Sequence, residues 1–316
     1  MKNAPTPWVL AHVFAVALLT VAASAQDLTK LRTLTPAQAA DLAAKRKGSL
    51  ALNALTDMSP EVATALAAQQ GELSLNSLTS LSPESAGALA KHAPSAHFGY
   101  ADLSLDGLQQ LSPETAAALA THRGALSLKM LATLDSVPLA NKLAAQWGEL
   151  QLNGLTTLSP EIAAILASNE GVLVDRTRPG VEARRADRAA SILRLDGLAE
   201  LSTPTAAALA QQKGVLVLLG LTRLSPALAT QLAPHEGLLV LGGFTELSPE
   251  VAAALAASPS ELVFSDLPVL SPASAEAFAK RTKGVYFIGL TTLDAKTRAA
   301  VRGNSNIRLP SGLLGK

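Results

Sequence analysis

The chain of 316 residues contains no cysteine. That excludes disulfides, thiolate catalysis, cysteine-bound zinc and lipid attachment through an N-terminal cysteine, so stability must come from the core alone. A large charge of either sign is also missing: 26 Lys and Arg stand against 25 Asp and Glu. This balance argues against a general nucleic-acid binder. No apolar run beyond the first 25 residues is long enough for a membrane span, because Asp, Glu, Lys, Arg or Pro recurs in every later stretch. Catalytic signatures are absent too. There is no G-x-S-x-G, no H-E-x-x-H, no phosphate loop and no calcium loop.

The N-terminus does carry an apolar run, Trp8 to Ala22, preceded by Lys2 and followed by the small-x-small triplet Ala23-Ser24-Ala25. This is the layout of a secretory signal with a mature start at Gln26. The run is short for a membrane anchor and is interrupted by His12 and Thr20.

Length alone suggests two domains, but a repeat overrides that reading. A Leu-x-Leu pair recurs with its first residue at Leu50, Leu73, Leu103, Leu126, Leu150, Leu173, Leu193, Leu216, Leu239 and Leu262, and Tyr286 is placed in the same role. The usual spacing is 23 residues. Residues 149–171 show how one unit works. Leu150 and Leu152 alternate with Glu149, Gln151 and Asn153, as in a short strand with one buried face. Leu155 and Leu158 follow at a spacing of three. Ser159-Pro160-Glu161 then starts a helix: a hydroxyl cap, a proline suited to the first turn, and an acid for the positive helix end. Ile162, Ile165 and Leu166 form its inward stripe, and Gly171 ends it.

The start signal recurs at Thr35-Pro36, Ser59-Pro60, Ser82-Pro83, Ser112-Pro113, Ser225-Pro226, Ser248-Pro249 and Ser271-Pro272, and a glycine closes the coil at 48, 71, 124, 148, 214, 237 and 284. One such coil cannot bury its own leucines, whereas a stack can. The expected fold is an α/β right-handed strand–helix solenoid of about ten coils spanning residues 26–316. It would hold one continuous parallel sheet on the concave side and short helices on the convex side.

The pattern resembles the leucine-rich-repeat superfamily over nearly all of residues 27–309. It looks closest to short, Ala-rich coils of exported bacterial proteins, with units such as LQLNGLTTLSPEIAAILA. It departs in having Leu55, Leu78 and Leu155 where the superfamily usually carries an inward Asn, so no amide ladder is expected at those positions. The resemblance implies a binding scaffold and names no ligand.

Two irregularities break the repeat. Pro94 to Ala101 is an insertion carrying Phe98 and Tyr100, read either as a binding loop or as a plain surface insertion. The short coil 172–191 carries Asp175 and Arg178 where Leu152 and Leu155 stand in the representative unit. Unpaired charges cannot replace buried leucines there, so the pair must be solvated or matched to each other. With Arg176, Arg184, Arg185 and Arg188 it forms a candidate site for an anionic partner; the plainer reading is a solvated charged helix.

Glu61, Glu84, Glu114, Glu161 and Glu250 recur once per coil and read as helix-end charges, not as catalytic acids. His92, His122 and His235 occupy equivalent places near helix ends, where the negative end of the dipole favours a cation. No metal and no cofactor are expected.

The candidate partner-binding face is the open side of the sheet, where residues between the leucines point outward. Down the stack the middle position runs from Ala51, Ser74, Ser104, Ser127 and Gln151 through Arg194 to Val217, Val240 and Val263. Val215, Leu238, Leu219 and Phe287 extend the apolar tract. The expectation is therefore a non-catalytic exported scaffold binding a protein or other macromolecule through this face. The alternative is a self-associating structural component of the cell envelope. Mass spectrometry of the native protein is expected to find Gln26 at the N-terminus; an intact Met1 would refute the cleavage reading.

Overall fold

The computed structural model describes residues 28–93, 102–146, 148–169 and 191–313. The signal segment 1–25, the insertion 94–101, and residues 172–190 with Asp175, Arg176, Arg178, Arg184, Arg185 and Arg188 lie outside the described residues.

Short strands alternate with short helices. The strands are β1 (Leu50–Ala51), β2 (Leu73–Ser74), β3 (Leu103–Ser104), β4 (Leu126–Ser127), β5 (Glu149–Gln151), β6 (Ser191–Arg194), β7 (Lys213–Leu218), β8 (Glu236–Leu241), β9 (Glu261–Phe264), β10 (Val285–Phe287) and β11 (Ile307–Arg308). The helices are α1 (Pro36–Lys45), α2 (Pro60–Leu66), α3 (Pro83–Leu89), α4 (Pro113–Ala120), α5 (Val137–Ala144), α6 (Pro160–Ala167), α7 (Thr203–Leu209), α8 (Pro226–Leu232), α9 (Pro249–Ala256), α10 (Pro272–Phe278) and α11 (Ala295–Val301). Every strand pairing is parallel, and consecutive helices pack side by side. The architecture is an α/β repeat solenoid.

Local chemistry sets the helix starts. Ser59, Ser82, Ser112, Ser136, Ser159, Ser202, Ser225, Ser248 and Ser271 each accept a hydrogen bond from the backbone N–H three residues on. Thr35 does so within a capping box with Gln38, and Asp294 caps α11. Each cap contributes about 1 kcal/mol. The hydroxyls and backbone amides around them hold Glu61, Glu114 and Glu250 below the usual carboxylate range.

Coils are joined in four ways. Leucines such as Leu50, Leu73, Leu103, Leu193, Leu216 and Leu239 are fully buried in one continuous core. Backbone rungs cross between neighbours, as from Leu52 N–H to Ser74 C=O at 2.8 Å and from Thr156 N–H to Ala132 C=O at 3.0 Å. A buried hydroxyl in the first helical turn reaches back one coil, as Thr205 Oγ1 to Leu158 C=O at 3.0 Å and Ser274 Oγ to Leu247 C=O at 2.7 Å. The fourth link is a close approach after several of the strands. A Cβ on Gly197 would lie 2.4 Å from the Asn153 carbonyl oxygen, and one on Gly220 would lie 2.0 Å from that of Asp196. Glycine is required there by contact, not by backbone angle.

The terminal glycines are of two kinds. Gly48, Gly71, Gly148 and Gly237 are left-handed, as a helix-ending glycine should be. Gly214 is not. It lies inside β7, where a Cβ would sit 2.4 Å from the Ser191 carbonyl oxygen.

Two expectations need correction. First, the sheet is not continuous: β1 to β4 form one sheet and β5 to β11 another. The Gln146 carboxamide occupies the β4 edge, accepting from Leu126 N–H and donating through Nε2 to Leu126 C=O at 3.0 Å. Second, the last full strand is shifted by one residue. Val285, not Tyr286, pairs with Leu262, so Phe287 points inward and is 1 % exposed. A slip of one residue exchanges the two faces, and Phe287 stacks on Phe264 with centroids 5.1 Å apart. A side-chain ladder does run at other positions, two residues before Leu55 and Leu78. Asn53 Oδ1 accepts from Ser74 Oγ at 2.6 Å and Asn76 N–H at 3.1 Å, and Asn76 Oδ1 repeats this with Ser104 and Asp106. Asp106 Oδ1 carries it on to Ser127 and Lys129.

Across the 170–190 stretch, β5 pairs directly with β6, Leu150 beside Leu193, and Thr205 reaches Leu158. The coils on either side are stacking neighbours.

The histidines belong to a buried polar seam at the helix ends. Position by position it holds Gln69, His92, His122, Asn169, Gln212, His235, Ser258 and Arg281, all buried. Its donors cap carbonyls of the preceding coil: Gln212 Nε2 donates to Ser191 C=O at 3.0 Å, and Arg281 Nη1 to Leu255, Ala256 and Ser258 at 2.8, 3.0 and 2.9 Å. Leu255 and Ala256 are in the last turn of α9, whose carbonyls a helix end leaves unpaired. Burial in the seam works against the cation that a helix-end dipole would favour. Burial lowers His92 and His235, and lowers His122 to about 4 despite its contact with the Ala90 carbonyl.

Two predictions follow from the packing. Leu152 is fully buried and Ala51 is exposed, so Leu152→Asp is expected to cost at least about 3 kcal/mol in denaturant melts and Ala51→Asp under about 0.5. Equal midpoints would overturn the face assignment. For His122 the folded pKa lies below the ordinary 6.5. The unfolded chain therefore binds the extra proton, and this contribution to stability is complete above about 6.5 and lost as pH falls toward 4. Gln fills the equivalent place at Gln69 and Gln212, so His122→Gln should melt with a shallower fall between pH 7 and 4. Identical slopes would remove His122 as a source of acid sensitivity.

Candidate functional site

The open side of the second sheet is organised as columns running across the strands. In the first column the register is Glu149, Ile192, Val215, Leu238, Glu261. In the second it is Gln151, Arg194, Val217, Val240, Val263, Tyr286, Arg308. The first apolar run thus lies between two glutamates, and the second between two arginines. A third column, two residues after the second, contains Asp196, Leu219, Gly242, Ser265 and Ile288.

Most of the expected patch is where the alternation put it. Val215, Leu219, Leu238, Val240 and Val263 are all half-buried on the open side. Val217 stands in the correct column but is only 3 % exposed. It lies beside Arg194 in the register, and a short β-branched side chain next to a long one keeps little contact with water. Phe287 does not belong to the patch, for the reason given above. Its place is taken by Tyr286, half-buried, and by Ile288, which is 65 % exposed. Ile192, half-buried beside Val215, is a further member.

The signal for Tyr286 and Ile288 was present. Counting 23 residues from Leu262 reaches Val285, but Val-Tyr-Phe-Ile is apolar at every position and alternation cannot choose the face.

Electrostatically the patch begins at a three-membered ion cluster. Arg194 Nε meets Glu149 Oε1 at 3.1 Å, and Arg194 Nη1 meets Asp196 Oδ2 at 2.9 Å. Asp196 first, then Glu149, hold the guanidinium still more firmly in its charged form. At this exposure such pairs contribute about 0–1 kcal/mol each. Their effect is to orient Arg194 across the strand ends and mark a border. On one side lie amides, hydroxyls and carboxylates; on the other lie valine, leucine and tyrosine.

Elsewhere the surface offers less. A shallow cup of about 410 Å³ near the N-terminal coil is lined by Lys30, Arg32, Ala54, Thr56 and Ser77. Among the described residues no group of three or more His, Asp or Glu side chains is placed to hold a metal ion, and no helix is long and apolar enough to cross a membrane. The candidate anion-binding arginines 176, 178, 184, 185 and 188 lie outside the described residues.

No protein-family model matches the chain, and no curated protein matches it. Among solved structures, the chain is similar to an internalin from Listeria monocytogenes at 13 % identity and a TM-score of 0.40, over 94 % of this chain and 86 % of that one. The repeated strand–helix units themselves fit a leucine-rich-repeat-like fold.

Proposed function

We propose that this is an exported, non-catalytic scaffold that binds another protein through the apolar part of its open sheet face. The observation that carries the reading is the bounded patch: Ile192, Val215, Leu238, Val240, Val263, Tyr286 and Ile288 gathered on one face of five neighbouring strands. At about 4.8 Å per strand, the patch spans roughly 20 Å. The β propensity of valine accounts for single valines in strands. It does not account for outward apolar residues in two adjacent columns of consecutive coils, bordered by charge. Strands apolar on both sides are expected where both sides are covered, and a contiguous apolar surface of this kind marks an interaction site. Export is supported by the apolar run Trp8 to Ala22 and the small-x-small triplet Ala23-Ser24-Ala25 that follows it.

The test is the triple variant Leu238→Ser, Val240→Ser, Val263→Ser. All three are half-buried on the open side, and the inward Leu239, Leu241 and Leu262 are untouched. The variant should stay folded, with its melting temperature lowered by only a few degrees, at most about 5 °C. It should lose the protein that the wild-type mature chain captures from its host. Recovery of the same partner at wild-type yield would exclude the patch. Light scattering on both proteins separates self-association: concentration-dependent oligomers abolished by the triple variant would make the partner a second copy.

A further inference from the structure

The break between β4 and β5 has the chemistry of a latch. At the other strand junctions of the first sheet, two backbone rungs follow a fixed pattern. Leu50 N–H donates to Glu72 C=O and Leu52 N–H to Ser74 C=O; Leu73 and Leu75 do the same with Asp102 and Ser104, and Leu103 and Leu105 with Ala125 and Ser127. By that pattern Leu126 N–H should donate to Glu149 C=O, and Leu128 N–H to Gln151 C=O. Neither rung is made among the described residues. Gln146 takes the first place instead: its Oε1 accepts from Leu126 N–H and its Nε2 donates to Leu126 C=O. A side-chain carboxamide carries the same acceptor and donor as a peptide unit, so it can stand in for β5 at that point.

The rest of the junction is intact. Gly154 N–H still donates to Lys129 C=O at 2.7 Å, Thr156 N–H to Ala132 C=O at 3.0 Å, and α5 packs on α6. Lys142 supports the inserted amide, with Nζ 2.6 Å from Gly124 C=O and 3.5 Å from Gln146 Oε1. Asp102 secures the same turn by accepting from Ala125 N–H at 2.6 Å. The sheet is therefore unzipped at one junction while the helical layer runs through it.

We propose that Gln146 is a latch and the β4–β5 junction a hinge, at which the coils of the first sheet bend against those of the second. The two states are defined by exchange of partners. In the latched state Gln146 holds Leu126. In the zipped state Gln146 swings out, and Leu126 and Leu128 pair with Glu149 and Gln151. Each state satisfies Leu126, so the two can lie close in energy, and discrete exchange of this kind is what makes a packed element bistable. The consequence is that the polar half of the open face, on β1 to β4, can change its inclination to the apolar half on β6 to β10. This inference does not depend on which partner the apolar half binds.

The chain has no native cysteine, so spin labels can be placed at will. Ser104→Cys with Val263→Cys spans six strand steps across the junction; Gln151→Cys with Arg308→Cys spans six steps within the second sheet. The pair across the junction should give a clearly broader or two-peaked distance distribution than the pair within the sheet. In wild-type protein the Leu128 amide should exchange at least ~10-fold faster than the Leu105 amide. Gln146→Leu leaves an uncharged side chain but removes both bonds; it should slow Leu126 and Leu128 exchange and narrow the distribution across the junction to one peak. Equal widths for the two label pairs, with Leu128 protected as well as Leu105, would overturn the hinge. Wild-type breadth that persists unchanged in Gln146→Leu would overturn Gln146 as its latch.

Discussion

Everything in this molecule follows from the inability of one coil to bury its own leucines. A strand of two to six residues and a helix of seven to ten make only a partial enclosure. Burying one leucine contributes roughly 1.5–3 kcal/mol, but only when a neighbouring coil closes over it. The unit of stability is thus the junction between coils, and the other features serve it. Serine caps stop each helix at a set length. Glycines after the strands let backbones approach to contact. Buried hydroxyls such as Thr205 and Ser274 fasten the start of one helix to the coil before it.

Wherever the chemistry is local, the sequence was a good guide. Leu-x-Leu, Ser-Pro and the closing glycine each act within a few residues, and among the described residues most strands, caps and helices stand where those signals are; Leu173 lies outside them, and β5 pairs directly with β6. The failures share another cause. Val285-Tyr286-Phe287-Ile288 is apolar throughout, so its facing is decided by the aromatic cluster with Phe264 and Phe278, which belongs to other coils. Leu55 and Leu78 hold no amide, and the ladder runs instead through Asn53 and Asn76, whose partners Ser74 and Ser104 belong to the next coils. Gln146 resembles Gln69 and Gln212, which occupy the same place in their coils and cap carbonyls without breaking the sheet. Only the coil that follows decides what such a glutamine does. The apolar face was legible through its columns, with the corrections at Val217 and Phe287 arising from a tall neighbour and a shifted register.

The two sides of the strands divide the work. Inward residues are almost uniform along the stack, because a common core demands a common shape. Outward residues drift from Ser and Asn, through the Arg194 cluster, to Val and Tyr. Selection on the core and selection on the open face can proceed with little interference, since alternate residues of one strand serve different masters. That separation is what makes a stack of coils suited to recognition.

The buried polar seam sets a limit on that freedom. Its members differ from coil to coil, and its strongest donors are fitted to particular carbonyls behind them. Arg281 fills a space shaped by Leu255, Ala256 and Ser258, and Asn304 one shaped by Phe278, Ala279 and Arg281. Coils that look interchangeable by their leucines are therefore individually keyed. A duplication or transplant of one coil would preserve the apolar columns and still set the wrong donor against the wrong acceptors, so the array can lengthen or shrink by copying only where two adjoining keys happen to match.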